Sequence, residues 1–261
     1  MLARSERRDM WVFAGGMFRS GSTLQYQIVS DLIERRGLGE RRGWIDPECF
    51  ANLAEQTERQ RAEPAPLSVI KTHVCKHGMR TRLRDGRALG VGVHRDLRDV
   101  VVSGAQKAGR RPCPEYAREL IEGCLACWNG WPETPAMRWW PYERLVGDTT
   151  GVILEMSDHL GLRCDIREAR EISDLYAPER QQRRIDEAIT TGAIAEHRPG
   201  GRMTYIEHDL LHPDHLRDGR IGKWREQLPE ETLRVIEQTA GPWLMSMGYP
   251  LATGAIRSER P

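Results

Sequence analysis

The segment WVFAGGMFRSGSTLQYQIV constrains what this chain can fold into more than any other. A short apolar run, Met10–Gly15, ends in glycines, and Ser22–Arg36 follows with Leu24, Ile28 and Leu32 at helical spacing. Strand, glycine turn and helix together open a β-α unit. Gly16-Met-Phe-Arg-Ser-Gly21-Ser22-Thr23 has the spacing G-x-x-x-x-G-x-[ST] at that junction. Such a loop turns backbone N–H groups inward, and the positive end of the helix dipole adds to them. Ser22 and Thr23 add hydroxyl donors in the first turn, so the loop suits a phosphate. The nucleoside-triphosphatase version places lysine directly after the second glycine, to reach the outer phosphates. Here that position is Ser22, and the positive charge sits at Arg19. The loop is poorly built to cleave a β–γ phosphate bond, which counts against an ATP-dependent phosphotransferase. A non-catalytic nucleotide-binding protein is the other alternative.

Downstream, Asp46–Arg61 reads as an amphipathic helix, Leu67–Thr72 as a second strand and Ala88–His94 as a third. Asp96–Lys107 and Glu115–Trp128 read as helices, and Met137–Pro141 as a fourth, short strand. Gly151–Leu160, Arg167–Tyr176 and Pro178–Thr190 are helical, and Glu230–Met247 is a helix that Gly241 and Pro242 interrupt. Strands alternating with helices imply a parallel sheet covered on both faces. The expected fold is therefore α/β: one three-layer domain over residues 1–261, with helices flanking a central parallel sheet. Residues 192–222 are rich in Gly, Pro and His without periodicity, and are expected to form a flexible, lid-like segment.

Composition excludes other classes. Among 261 residues, 39 basic and 38 acidic side chains leave +1, so the whole chain is no electrostatic nucleic-acid binder. No stretch approaches the roughly 18–20 apolar residues of a bilayer span. The first ten residues carry no apolar signal region, so a cytoplasmic location with reduced cysteines is expected. Cys124 and Cys127 form a CxxC, but within a helical pattern and without further zinc-ligand spacing, so they read as packed residues. Only four of the basic residues are lysines, at 71, 76, 107 and 223. Arginine serves wherever a generic positive charge is enough, so each lysine marks a position with its own requirement. Lys223 is nevertheless assigned no catalytic role and is expected to be solvated.

Two further patterns carry chemistry. Ser68-Val-Ile-Lys71-Thr72-His73 sets a lysine and a histidine two residues apart at a strand end, pointing to one side. In a parallel α/β sheet, strand C-termini face the ligand crevice. His73 there can take a proton from a hydroxyl near neutral pH, and Lys71 can balance charge on a leaving oxygen. In His94-Arg95-Asp96-Leu97-Arg98-Asp99-Val100-Val101-Val102-Ser103, Arg95 ends a strand and Asp96 can cap the next helix. Ser103 lies two turns along that helix, and an arginine with a hydroxyl suits a second phosphate. No clear strand-end aspartate suited to Mg²⁺ is present, so no metal site is expected.

In order, these pieces resemble the sulfotransferases that use 3′-phosphoadenosine 5′-phosphosulfate (PAPS). Phe18-Arg19-Ser20-Gly21-Ser22-Thr23 answers that family's 5′-phosphosulfate loop, Lys71-Thr72-His73 its K-T-H strand end, and Arg95 through Ser103 its 3′-phosphate segment. Tyr142-Glu143-Arg144-Leu145 is similar to its Y-E-x-L strand end, whose tyrosine lies near the adenine. Gly219-Arg220-Ile221-Gly222-Lys223-Trp224 is similar to its late G-x-x-G-x-W loop. The match covers about residues 10–240. Phe18 replaces the loop's usual proline, and Asp218 stands where the late segment has lysine, so Arg217, Gly219 and Arg220 share the candidacy for the 3′-phosphate.

The resemblance implies in-line transfer of a sulfuryl group from PAPS to a hydroxyl or amine of a small-molecule acceptor, without metal or nucleic acid. It makes His73 the general base, with His77 and His94 as the next candidates, and Lys71 the group that stabilises the leaving oxygen. Arg19, Ser20, Gly21, Ser22 and Thr23 would hold the 5′ end of PAPS; Arg95, Ser103 and Tyr142 would serve its nucleotide half. A histidine base points to phenols, alcohols or natural-product hydroxyls. Trp44, Phe50, Trp128, Trp131 and Trp139 are either acceptor-pocket walls or core.

Overall fold

The structure, a computed structural model, describes residues 11–59, 67–193, 208–211 and 219–252. Strands β1 (Trp11–Gly16), β2 (Gly39–Trp44), β3 (Leu67–Lys71), β4 (Ala88–His94) and β5 (Met137–Pro141) form one sheet in the order β2-β3-β1-β4-β5. Every pairing is parallel, so each strand is followed by a crossover. The helices are α1 (Ser22–Glu34), α2 (Phe50–Arg59), α3 (His77–Arg84), α4 (Leu97–Lys107), α5 (Pro114–Gly130), α6 (Tyr142–Gly147), α7 (Thr149–His159), α8 (Ile166–Leu175), α9 (Pro178–Thr190), α10 (Trp224–Gln227) and α11 (Glu230–Ser246).

Because strand side chains alternate, each strand feeds two cores. Val12, Ala14, Val69, Val91 and Trp140 pack with Ile28, Leu32, Ile153 and Ile172, from α1, α7 and α8. Trp11, Phe13, Ile70 and Met137 face the opposite way, onto Phe50 of α2 and Met79 and Leu83 of α3. A third cluster joins Val100 of α4, Ile121 and Cys124 of α5, and Ile236 and Leu244 of α11. Helix, sheet, helix is the expected three-layer α/β arrangement. Cys124 and Cys127 are buried on α5, and burial pushes their thiols up to about 12 and about 11, as packed rather than reactive residues require.

Several elements differ from the sequence expectation. β2 has the sequence GERRGW, and its polarity hides it: it is an edge strand, and Arg41 on it is held by Asp31 at 2.6 Å and by Asp209. The helices α3 and α6 are short and carry too few periodic positions to register. The helix near residue 46 begins only at Phe50. Gly241 and Pro242 do not interrupt α11, because Ile236, Ala240 and Leu244 bury against α5 and outweigh one lost backbone hydrogen bond. Most of the lid-like segment 192–222 lies outside the described residues, as does Arg217.

Candidate active site

Four neighbouring strands, β3, β1, β4 and β5, deliver the candidate residues side by side along the C-terminal edge of the sheet. The loop after β1 departs from ordinary backbone twice. Arg19 has φ 59° and Gly21 φ 85°, both left-handed. For arginine that conformation costs about 1 kcal/mol or more. A Cβ on Gly21 would also meet the Tyr142 ring at 2.7 Å, so glycine is required there by both geometry and space. Ser20 is fully buried, and its hydroxyl donates to the Met17 carbonyl at 2.7 Å, fixing the loop's shape from within. Its side chain faces the loop interior, while Arg19, Gly21, Ser22 and Thr23 line a cavity of about 1420 Å³. The N-terminus of α1 opens into this cavity, which favours an anion.

At the end of β3, Lys71 is buried and His73, two residues on, is partly buried. His73 Nδ1 lies 2.7 Å from the Gly16 carbonyl, which can only accept, so Nδ1 carries the proton. Nε2 then presents its lone pair, 3.4 Å from Lys71 Nζ. Burial, then the neighbouring charge of Lys71, pushes His73 down to about 3. Burial, with Lys107 and Arg19 nearby, pulls Lys71 down to about 8. The imidazole is therefore neutral, and Lys71 keeps its proton at neutral pH among other cations, a setting that favours an anion.

Past β4, Arg95 lies over the Tyr142 ring with its guanidinium carbon 4.1 Å from the centroid. It reaches the carbonyls of Arg19 and Arg220 only at 3.4 Å, and its buried Nε has no hydrogen-bond partner. Its carboxylate neighbour, Asp99, stands 4.0 Å away, and a buried arginine with its partners at such lengths fits an anion. Ser103 Oγ accepts from Arg19 Nε at 3.1 Å, linking the two candidate phosphate sites across α4. Tyr142 donates to the Gly219 carbonyl at 3.3 Å. Arg220 lines the cavity and pairs with Glu226 at 2.6 Å.

Much of the Arg95–Ser103 segment is architectural. Asp96 accepts from the Arg98 N–H at 3.0 Å and caps α4. Arg98, almost fully buried, holds Asp96 and Glu237, each at 2.8 Å, and lies over Trp224. Asp99 accepts from the backbone N–H groups of Gly222 at 2.6 Å and Trp224 at 3.0 Å, which ties the late glycine loop to the cavity. Sequence reasoning assigned Asp99 nothing. Lys223 is buried rather than solvated, because this anchoring draws it down onto Gln106, 3.4 Å away.

Of the other histidines, His94 is enclosed by Trp128, Trp243 and Tyr249, and His77 is exposed at the start of α3. Neither lines the cavity. Among the aromatics, Trp44 lines it, half-exposed at the end of β2. Phe50 packs edge-on against Trp11 and Phe13, and Trp131, Trp128 and Trp139 pack within the core clusters. Phe18, which the sequence reading treated only as a missing proline, faces His73 at 4.8 Å between ring centroids.

A five-stranded parallel sheet flanked by helices, with a glycine loop after its first strand that enters a helix, defines a three-layer α/β fold. Among solved structures, retinol dehydratase in complex with androsterone and the inactive cofactor PAP matches with a TM-score of 0.60 at 18% identity, over 95% of this chain and 82% of that one. Mouse sulfotransferase SULT7A1 complexed with PAP matches with a TM-score of 0.58 at 13% identity, over 91% and 85%. No protein-family model matches, and no curated protein matches in sequence. The chain has the PAPS-dependent sulfotransferase fold.

Proposed function

We propose that this protein is a sulfotransferase that uses PAPS and a small-molecule hydroxyl or amine acceptor. The observation that carries the reading is the placement, along one sheet edge, of a neutral histidine and a lysine beside an anion loop and a second, weakly engaged arginine site. Arg19 and the N–H groups of residues 20–23 would hold the 5′ end of the donor. Arg95, Ser103 and Arg220 would hold the 3′-phosphate, and Tyr142 lies between the two sites. Both the orphaned Arg95 Nε and the depressed Lys71 fit a polyanion. PAPS supplies an activated sulfuryl group attached through the bridging oxygen of its 5′-phosphate.

His73 Nε2 takes the proton as the acceptor oxygen or nitrogen bonds to sulfur and the bond from sulfur to the bridging oxygen breaks. The Gly16 carbonyl holds the imidazole in the tautomer this needs. Lys71 faces that step as a compact cation, and charge building on the bridging oxygen strengthens its contact. Adenosine 3′,5′-bisphosphate (PAP) leaves. Ser22, in place of lysine, argues against the transfer of an outer phosphate. The test is ligand-induced stabilisation: PAP at 100 times its Kd should raise stability by about 2.7 kcal/mol, and AMP at the same concentration much less. Equal thermal shifts from AMP and PAP would remove the PAPS assignment.

A further inference from the structure

Phe18 immediately precedes Arg19 in the loop after β1, yet its side chain serves another part of the cavity. Its ring stands against the His73 imidazole, with centroids 4.8 Å apart and the planes tilted by 56°. That is contact between two flat groups. Behind the ring, α5 provides a seat. A Cβ on Gly123 would come within 3.4 Å of the Phe18 ring, so glycine there lets the ring settle onto the helix. The ring also packs at the edge of the cluster that holds Leu97, Val100 and Ile121, and the Cys124 thiol points to the Phe18 carbonyl at 3.9 Å. Contacts from α4 and α5, and not the loop alone, therefore fix where Phe18 stands.

The same loop meets His73 twice. The Gly16 carbonyl takes the Nδ1 proton at 2.7 Å, and Phe18, two residues on, lies against the ring. The remaining polar contacts leave the ring's faces alone. Lys71 Nζ lies 3.4 Å from Nε2, and Trp131 Nε1 donates to the His73 carbonyl at 3.3 Å, which steadies only the backbone. Burial comes before the charge of Lys71 among the causes that push His73 down to about 3, and Phe18 supplies part of that burial. The charges that act on the imidazole are those of Lys71 and Lys107, and both remain when Phe18 is replaced. Water reaching the ring would offer partners to both nitrogens, and the proton could then sit on either.

Resting on the sulfotransferase reading above, we propose that Phe18 is the positioning residue of the base: its ring keeps water from the His73 imidazole and holds it in the tautomer that leaves Nε2 free to take the acceptor's proton. One short loop then serves both reaction partners, with residues 19–23 set to the donor and Gly16 and Phe18 set to the base.

The test reads the imidazole nitrogens of His73 by NMR in histidine-labelled protein saturated with PAP, the signals being assigned by their loss in His73→Gln. Between about pH 7 and about pH 4.5 the parent ring should stay neutral with its proton on Nδ1. In Phe18→Ala it should begin to take up a proton within that range, its midpoint rising by about one to two pH units, and the Nε2–H tautomer should appear. Phe18→Tyr, which keeps the ring, should behave as the parent protein. His94, enclosed by other aromatics, should be unchanged in every variant. If Phe18→Ala does not fold, Phe18→Leu carries the comparison, with a smaller change in the same direction. An unaltered His73 titration and tautomer would overturn the proposal, and so would an equal displacement of His94, which marks a general loosening. Loss of PAP binding in the Phe18 variant alone, read by calorimetry, would assign the ring to the donor and also overturn it. Failure of the parent protein to bind PAP refutes the sulfotransferase reading beneath, whereas the His73 signals report on Phe18 with or without PAP.

Discussion

Replacing Asp99 by asparagine should release the Gly219–Trp224 loop from α4. The buried carboxylate takes the Gly222 N–H at 2.6 Å and the Trp224 N–H at 3.0 Å, one on each oxygen. Asparagine keeps one acceptor and turns an NH₂ group toward the other N–H. Losing one charge-assisted bond costs about 1.5–3 kcal/mol, and leaving its donor unpaired about 1–3 more. Gly222 is partly exposed and can turn its N–H to water, so the low part of that sum applies, about 3 kcal/mol. For a chain of this order the melting temperature should fall by roughly 6–12 °C. Urea unfolding should show a lower midpoint at unchanged m-value. PAP affinity should fall as well, because the Arg220 carbonyl that Arg95 touches moves with the loop. A midpoint equal to that of the parent protein would show that Asp99 does not hold the loop, and that its place in the motif has another cause.

Two further perturbations probe the base and its fold. His73→Ala should lower kcat by roughly 10²–10⁴ while PAP affinity is largely kept, since the phosphates meet other residues; steady-state kinetics beside calorimetry reads both, and unaltered turnover would move the base elsewhere. His94 is held down to about 4 by burial, below its unfolded value near 6.5, so it contributes stability that is present above pH 6.5 and lost as pH falls toward 4. At pH 5 that loss is about 2 kcal/mol, and the acid limb of stability should flatten in His94→Gln; an identical slope in the variant would refute the assignment.

The local signals were legible in the sequence because each is written in consecutive residues. The apolar run before Gly15, the glycine spacing to Thr23, the Lys71–His73 strand end and the Asp96 cap each report a backbone state that neighbouring residues set. Alternating strands and helices then dictated a parallel three-layer sheet. What tertiary structure decided is everything that joins distant segments. β2 is invisible in sequence because its arginine is satisfied by Asp31 and Asp209, partners 10 and 168 residues away. Asp99 reads as one more charge in a helix until the late loop lays two N–H groups upon it. Of five aromatic candidates, only Trp44 lines the cavity, since burial depends on which face of which strand is covered. Lys107 follows Ser103 by one helical turn, a spacing that was available in the sequence. That it lines one cavity with His73 was decided only when β1 and β4 paired beside β3, because packing and not spacing along the chain sets what shares a cavity.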